Sequence, residues 1–198
     1  MRHVGVWVLA VVAFCAVGAR AQSGSETEPE SGSHEFQVWA GGGYTVPGGV
    51  SHTSVVNAGA RYGWVLSDLH GAGFLRGRFE YAVNAIPVFV VAGPARTAYG
   101  VGIDPAALRW NFQQRRRVMP YAEFSGGVLF TNHAVPPGSS AVNFTPSFGI
   151  GISAPRGRLR WSAEIRYIHI SNSHLVDYNP GINILQLRIG LGRFTHTE

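Results

Sequence analysis

A histidine and a serine stand two residues apart near the end of an alternating segment in the last quarter of the chain. Residues 159–191 read as two β-strands joined by a polar loop, because apolar and polar side chains alternate on both sides of that loop. His169 and Ser171 close the apolar face of the first strand. Side chains two positions apart on a strand point the same way. His169 can therefore serve as the base for a Ser171 nucleophile at the tip of an apolar face, a position suited to a reaction at the edge of a membrane.

Ester hydrolysis by such a pair needs two further parts: a group that orients the base, and donors that stabilise the oxyanion. Asn172 directly follows Ser171 and can offer its backbone N–H or its side-chain amide to an oxyanion. His-x-Ser-Asn is a common pattern, however. The spacing alone leaves open the alternative of an interfacial histidine beside a serine that begins a loop.

Eight segments of the chain alternate with a period of two residues, which is typical of half-buried β-strands. One face of each segment carries aliphatic and aromatic residues, and the other carries polar ones. The phase of the fourth segment changes near Asp104-Pro105, which indicates a bulge or a break. The segments span about 35–45, 55–66, 74–90, 97–113, 118–131, 142–154, 159–171 and 182–191.

This alternation predicts an all-β fold, an eight-stranded antiparallel transmembrane β-barrel of the outer-membrane type, with a soluble β-sandwich as the alternative. Three features favour the barrel: an export signal, the loss of the single cysteine, Cys15, with that signal, and aromatic residues near the strand ends. These aromatic residues are Trp39, Tyr44, Trp64, Tyr99, Trp110, Trp161 and Tyr167.

The polar faces contain many charged residues. Eight strands enclose an interior that side chains fill, so we expect a buried ion-pair network and not a channel. The charged residues concerned are Arg61, Arg76, Arg78, Glu80, Arg109, Glu123, Glu164, Arg166 and Arg188.

The chain is expected to divide into a signal peptide (1–21), a disordered acidic linker (22–33), the barrel (34–194) and a short tail (195–198). All 16 basic residues are arginine; removal of the two in the signal leaves 14 against 11 acidic residues, a net charge of +3. The charge is mild and its one dense run, at 115–117, falls in a turn, so no nucleic-acid partner is predicted. No group of residues has metal-ligand spacing, and we expect neither a metal nor a cofactor.

An even number of strands with both ends in the periplasm places the longer loops outside the cell. His169 and Ser171 then lie at the outer end of the barrel, on its lipid-facing side. The lipid of that leaflet is lipopolysaccharide, so the position predicts a lipid substrate. The outer loops are expected at 46–53, 91–96, 132–141 and 172–181.

The sequences HISN at 169–172 and NPGI at 179–182 resemble the lipid A 3-O-deacylases, outer-membrane acyl hydrolases also called the acyloxyacyl hydrolase family. The resemblance covers about 36–192. It implies an eight-stranded barrel in the bacterial outer membrane that cleaves the ester-linked acyl chain at the 3-position of lipid A. Three upstream segments also fit: ARYGWVL (60–66), FEYAVNAIPV (79–88) and LRWNF (108–112).

The resemblance implies that His169 is the base, Ser171 the nucleophile and Asn172 an oxyanion contributor. The chain departs from the family at the third catalytic position, where Asn183 replaces a glutamate. An amide carbonyl can accept a hydrogen bond from the imidazole and fix its tautomer, but it cannot neutralise an imidazolium. Three outcomes remain open: Ser-His-Asn suffices, Asp177 of the neighbouring loop supplies the carboxylate, or the barrel is catalytically inactive.

The leading hypothesis is therefore an outer-membrane serine esterase that removes an acyl chain from lipid A of lipopolysaccharide. The alternative from another class is a catalytically inactive eight-stranded barrel with a structural or adhesive role. A third possibility is a secreted soluble barrel that binds lipid.

Overall fold

The computed structural model describes residues 28–195; the signal peptide expected at 1–21, with Cys15, lies outside the described residues. Within 28–195, the chain forms nine β-strands and one short 3-10 turn, Gly73–Leu75. No helix in this part of the chain has the length and apolarity needed to cross a membrane. The strands are β1 (His34–Thr45), β2 (Ser54–Val65), β3 (Gly77–Ala92), β4 (Thr97–Phe112), β5 (Met119–Thr131), β6 (Val142–Phe144), β7 (Ser147–Arg156), β8 (Leu159–Ile170) and β9 (Ile182–Thr195).

The strands close into an antiparallel barrel. Consecutive strands pair from β1 to β5, β7 pairs with β8 and β8 with β9, and β9 pairs with β1 to complete the circle. β6 and β7 both pair with β5 and occupy one position in the sheet. The nine strands therefore fill eight strand positions around the barrel, and the predicted eight-stranded barrel is confirmed. We call the end that holds loops 46–53, 93–96, 132–141 and 171–181 the loop end, and the opposite end, where His34 pairs with Thr195, the terminal end.

The sixth predicted strand, 142–154, is not continuous. It divides into β6 and β7 on either side of Thr145-Pro146. Pro146 has no N–H to donate to a ladder, so the strand is interrupted where this residue stands. Its carbonyl still accepts the N–H of His169 at 3.0 Å.

Two further local features bear on the prediction. The third strand begins at Gly77 and not at residue 74, because the preceding residues form the Gly73–Leu75 turn. The predicted irregularity near Asp104-Pro105 is present, as the register between β4 and β5 shifts between Ile103 and Ala106.

Residues 28–33, which we expected to belong to a disordered segment, make specific contacts at the terminal end. The Glu28 carboxylate accepts the N–H of Gln114 at 2.9 Å and pairs with Arg78 at 3.1 Å. This part of the acidic segment is therefore attached to the barrel.

Arginines and glutamates fill the part of the interior nearer the terminal end, as predicted. Arg76 is the exception: it was expected in this network but is exposed, because it follows the Gly73–Leu75 turn and precedes β3. Glu123 lies at the centre of this network: its Oε2 accepts from Arg61 at 2.7 Å and from Arg109 at 2.8 Å, and its Oε1 accepts from Arg166. Arg61 and Arg109 also share the carboxylate of Glu35. Each of these charges has a partner, which is what makes their burial tolerable.

Apolar side chains fill the interior at the loop end. Phe89 reaches this cluster because the register between β3 and β4 shifts between Ile86 and Phe89, so that both residues face inward although they are three positions apart. Trp39, counted in the sequence analysis among the aromatic residues near strand ends that favour a membrane barrel, is 4% exposed in the same cluster and does not face lipid. The Arg188 guanidinium lies 3.7 Å from its ring centre. The cluster also contains Val55, Val91, Leu129, Val135, Ile168, Ile170, Ile182 and Ile184.

The outer wall is apolar. Large hydrophobic side chains alternate with the buried polar ones and are exposed along every long strand, as on a barrel whose outside meets lipid. A soluble sandwich would bury this face, so the arrangement supports the membrane barrel. Examples are Phe124, Phe148, Ile150, Leu187 and Ile189.

The network predicts a large difference between two Glu→Gln substitutions. Glu123→Gln leaves three buried guanidiniums short of an acceptor and should lower the free energy of unfolding by about 3–5 kcal/mol. Glu28→Gln removes a partly exposed pair and should cost less than about 1 kcal/mol. Urea unfolding of the detergent-solubilised proteins, followed by tryptophan fluorescence, measures both. Equal losses of unfolding free energy in the two variants would contradict the conclusion that Glu123 stabilises the buried network.

Candidate active site on the outer wall

The register of β8 and β9 places His169 directly opposite Asn183. The next pair, Ile170 and Ile182, is buried inside the barrel. Because neighbouring side chains on a strand point to opposite faces, these two isoleucines hold His169 and Asn183 on the outside. The pair lies at the loop end, where the lipid-facing wall meets the loops.

A short hydrogen bond joins the two side chains: His169 Nδ1 and Asn183 Oδ1 are 2.6 Å apart. The amide nitrogen of Asn183 faces the carbonyl oxygen of Pro47 at 3.4 Å. A carbonyl can only accept, which assigns the NH₂ group to Pro47 and the oxygen to His169. The proton of the bond therefore sits on Nδ1, and Nε2 of the neutral ring carries the free lone pair. This is the tautomer that a general base requires.

Two loop glycines confine this pair. Gly181 has a φ of +66°, and a Cβ at this position would lie 2.8 Å from Cε1 of His169. Gly48 has a φ of +108°, and its Cβ would lie 2.7 Å from Nδ2 of Asn183. Only glycine fits both the backbone conformation and the space at these positions.

Ser171 lies on the same face as His169 and is 9% exposed. Its backbone is fixed by β6, since its N–H donates to the Phe144 carbonyl at 3.1 Å and its carbonyl accepts the Phe144 N–H at 2.7 Å. Together with the bond from His169 to Pro146, these contacts keep His-x-Ser extended. Within residues 28–195, no hydrogen bond joins Ser171 to His169. Catalytic hydrogen bonds are often long in unliganded enzymes and tighten when substrate binds.

Asn172 is buried and connects two loops. Its N–H donates to Asn179 Oδ1 at 3.0 Å, and its side-chain nitrogen donates to Ser139 Oγ at 2.8 Å and to the Tyr178 carbonyl at 3.1 Å. The three N–H groups of Asn172 are thus engaged in this conformation. An oxyanion would have to displace one of these acceptors.

Asp177 stands apart from the site. It lies on the exposed part of the loop after β8, and among the described residues it makes neither a hydrogen bond nor an ion pair with His169. The orienting position beside the imidazole is taken by Asn183. Within residues 28–195, no three His, Cys, Asp or Glu side chains come together as metal ligands would.

The contacts that sequence reasoning missed come from the main chain. The carbonyls of Pro47, Phe144 and Pro146 hold Asn183, Ser171 and His169 in place. Main-chain acceptors have no side-chain signature, although Pro146 is recognisable as a residue that interrupts a strand.

The closed barrel, its apolar wall and the polar pair on that wall define the class of the protein: a β-barrel of the outer-membrane type with a hydrogen-bonded histidine and asparagine on its outer face. A family model described as "Lipid A 3-O-deacylase (PagL)" matches residues 23–192. The chain belongs to this family. No curated protein sequence matched the chain significantly.

Solved barrels of the outer membrane have the same fold. The crystal structure of the outer membrane enzyme PagL is 20% identical, with a TM-score of 0.59 over 78% of this chain and 97% of that one. Neisserial surface protein A is 15% identical, with a TM-score of 0.53 over 84% and 99% of the two chains. OprG from Pseudomonas aeruginosa is 11% identical, with a TM-score of 0.52 over 85% and 98%. At these identities, the likeness establishes the fold alone.

Substitution of Gly181 tests the geometry of the pair. Gly181→Ala should push the imidazole away and abolish the hydrogen-bonded Nδ1–H signal of His169 in the ¹H–¹⁵N spectrum of histidine-labelled protein. Gly157→Ala is the matched control, because Gly157 has a φ of +64° and nothing lies within 4 Å of its added Cβ. His169→Gln assigns the signal. Loss of the signal in both alanine variants, or in neither, would contradict the proposed role of Gly181.

Proposed function

We propose that this protein removes the ester-linked acyl chain at the 3-position of lipid A, with Ser171 as nucleophile, His169 as general base and Asn183 as the residue that positions the base. The observation that carries the proposal is the 2.6 Å bond between His169 Nδ1 and Asn183 Oδ1 on the lipid-facing wall. It turns a histidine at a membrane surface into a base with a fixed tautomer, beside a serine on the same face.

The reaction begins when Ser171 Oγ attacks the ester carbonyl carbon and its proton passes to His169 Nε2. The tetrahedral oxyanion collapses, the C–O bond to the sugar breaks, and the departing sugar oxygen takes the proton from Nε2 to become a hydroxyl. Water then attacks the acyl-serine, with His169 again accepting and returning the proton. The fatty acid leaves, and Ser171 is regenerated.

Asn183 acts through His169. Its carbonyl oxygen holds Nδ1–H and so keeps the Nε2 lone pair available to Ser171. An amide carries no charge, so the imidazolium formed during the reaction is stabilised by a dipole and not by a carboxylate. We therefore expect a slower enzyme than one with glutamate at this position, and not an inactive one.

Asn172 supplies the oxyanion donor in this proposal. Its backbone N–H now donates to Asn179 Oδ1 at 3.0 Å. An oxyanion accepts a stronger hydrogen bond than a neutral amide oxygen, so the developing charge can take over this N–H as the Asn179 side chain turns away. Asn172 would then bind the transition state in preference to the substrate, as catalysis requires.

The substrate follows from the location of the site. A nucleophile on the outer wall at the loop end meets the acyl chains of lipid without extraction from the membrane. The apolar residues Tyr167 and Leu185 lie on the same face, one step further from the loops, where an acyl chain would extend. Family membership supports lipid A, and its 3-position, as the target.

Mass spectrometry of lipid A tests the proposal. Cells that express the wild type should yield lipid A lacking one hydroxyacyl chain, and tandem spectra should assign the loss to the 3-position. Ser171→Ala should lower the conversion by roughly 10³-fold or more, since the nucleophile is removed. Ser173→Ala, which alters another serine of the same loop, should leave the spectrum unchanged.

Heat-modifiable gel mobility of each variant verifies that the barrel is folded. Identical lipid A from folded wild type and folded Ser171→Ala would reject the proposal in favour of a non-catalytic barrel. Loss at another ester would retain the hydrolase and reject the 3-position.

A further inference from the structure

Exposed arginines gather at the terminal end of the barrel, away from the candidate active site. At the loop end, by contrast, Arg96 is the one exposed arginine among residues 28–195. Among residues 28–195, the acidic residues of the terminal end that lie outside the interior are Glu28, Glu30 and Asp68, fewer than the exposed arginines there. Those arginines are Arg76, Arg115, Arg116, Arg117, Arg156, Arg158 and Arg193.

A groove of about 280 Å³ opens on the outer wall at this end, between the Gly73–Leu75 turn, the end of β4 and the start of β5. Phe112 and Pro120 line it from the strands; their neighbours Asn111 and Tyr121 face the interior, so these two side chains face the lipid. The groove is therefore part of the membrane-facing surface.

An unusually exposed phenylalanine forms the third wall of the groove. Phe74 is 75% exposed and projects from the Gly73–Leu75 turn. The turn is fixed, since the Leu75 carbonyl accepts the indole N–H of Trp110 at 3.1 Å and the Trp110 ring makes an edge contact with His70. Together with Phe112 and Pro120, this fixed side chain makes the groove an apolar surface that an acyl chain can cover.

Two arginines, Arg76 and Arg115, stand at the rim of the groove. Within residues 28–195, the guanidinium groups of Arg76 and Arg115 make no ion pair or side-chain hydrogen bond. Arg78, by contrast, pairs with Glu28 at 3.1 Å. These two guanidiniums can bind the phosphate of an anionic lipid with paired N–H groups, and the apolar groove beside them can hold its acyl chain.

The groove also lies at the depth where headgroups begin. Tyr62, Trp64 and Tyr81 form a chain of ring contacts along the terminal end, with centroids 4.7 and 5.8 Å apart. Aromatic belts of this kind mark the boundary between hydrocarbon and headgroups in outer-membrane barrels.

We propose that this groove binds a phospholipid with an anionic headgroup, its acyl chain against Phe74, Phe112 and Pro120 and its phosphate between Arg76 and Arg115. The assignment to the periplasmic leaflet rests on the proposed function, which sets the loop end against lipopolysaccharide. Binding itself depends only on the groove. Basic residues near a membrane surface favour anionic lipids in this way.

Native mass spectrometry of the mature protein in detergent micelles tests the site, with phosphatidylglycerol and phosphatidylcholine of identical chains as probes. Phosphatidylglycerol should bind the wild type in preference. The double variant Arg76→Gln/Arg115→Gln should lose about fivefold in affinity for each arginine, roughly 25-fold for the pair. Arg156→Gln/Arg158→Gln removes the same charge from exposed arginines of the β7–β8 turn at the same end and should bind within about twofold of the wild type.

Equal losses in the two double variants would show diffuse attraction to a basic rim and would overturn a defined site. Equal binding of both lipids by the wild type would also overturn it. Lipid A from cells that express each variant provides the separate test of activity. Selective binding without deacylation would retain the lipid site in the groove and reject the proposed function. Deacylation without selective binding would retain the proposed function and reject the lipid site.

Discussion

Closure of the sheet between β1 and β9 is the constraint on which the rest of the structure depends. In hydrocarbon, each backbone N–H and C=O must find a partner in the protein, and a closed antiparallel sheet provides one for every strand. Closure fixes the register, and the register sets His169 against Asn183. The same alternation sends Ile170 and Ile182 inward, so packing inside the barrel holds the polar pair outside. The candidate site is thus a consequence of how the barrel closes, with loop glycines and main-chain carbonyls completing it.

The asparagine beside His169 separates two tasks that a carboxylate performs together. One is orientation of the ring, which needs only a hydrogen-bond acceptor; the other is stabilisation of the imidazolium, which needs charge. Asn183 retains the first task, because the carbonyl of Pro47 takes its amide hydrogen and leaves its oxygen for His169. An uncharged residue also avoids the cost of holding a carboxylate against lipid. In the proposed mechanism, the chain therefore combines a base of fixed orientation with weaker stabilisation of the charge that develops on it.

The periodic features of the fold could be predicted from the sequence, and the irregular ones could not. Alternation of side chains located the barrel, the inward charges and the outward position of His169, because it reflects the geometry of every strand. It failed along β3, where a register shift between Ile86 and Phe89 reverses which side chains face inward. At Trp39 the alternation held, since this residue shares the inward face of β1 with Gln37, and it was the expectation of an aromatic girdle that was wrong. The engagement of Asn172 by Ser139 and Tyr178 was also out of reach, since it depends on how two loops meet.

The most direct test of the account is the rate of acyl-chain release from lipid A in detergent micelles by purified wild type and Asn183→Leu. Leucine keeps the branching and the number of non-hydrogen atoms of the side chain and removes the acceptor for Nδ1–H of His169. If Asn183 positions the base, the rate should fall by about 10²-fold or more while the barrel remains folded. An unchanged rate would contradict the account, because another group, such as Asp177, would then have to orient the imidazole.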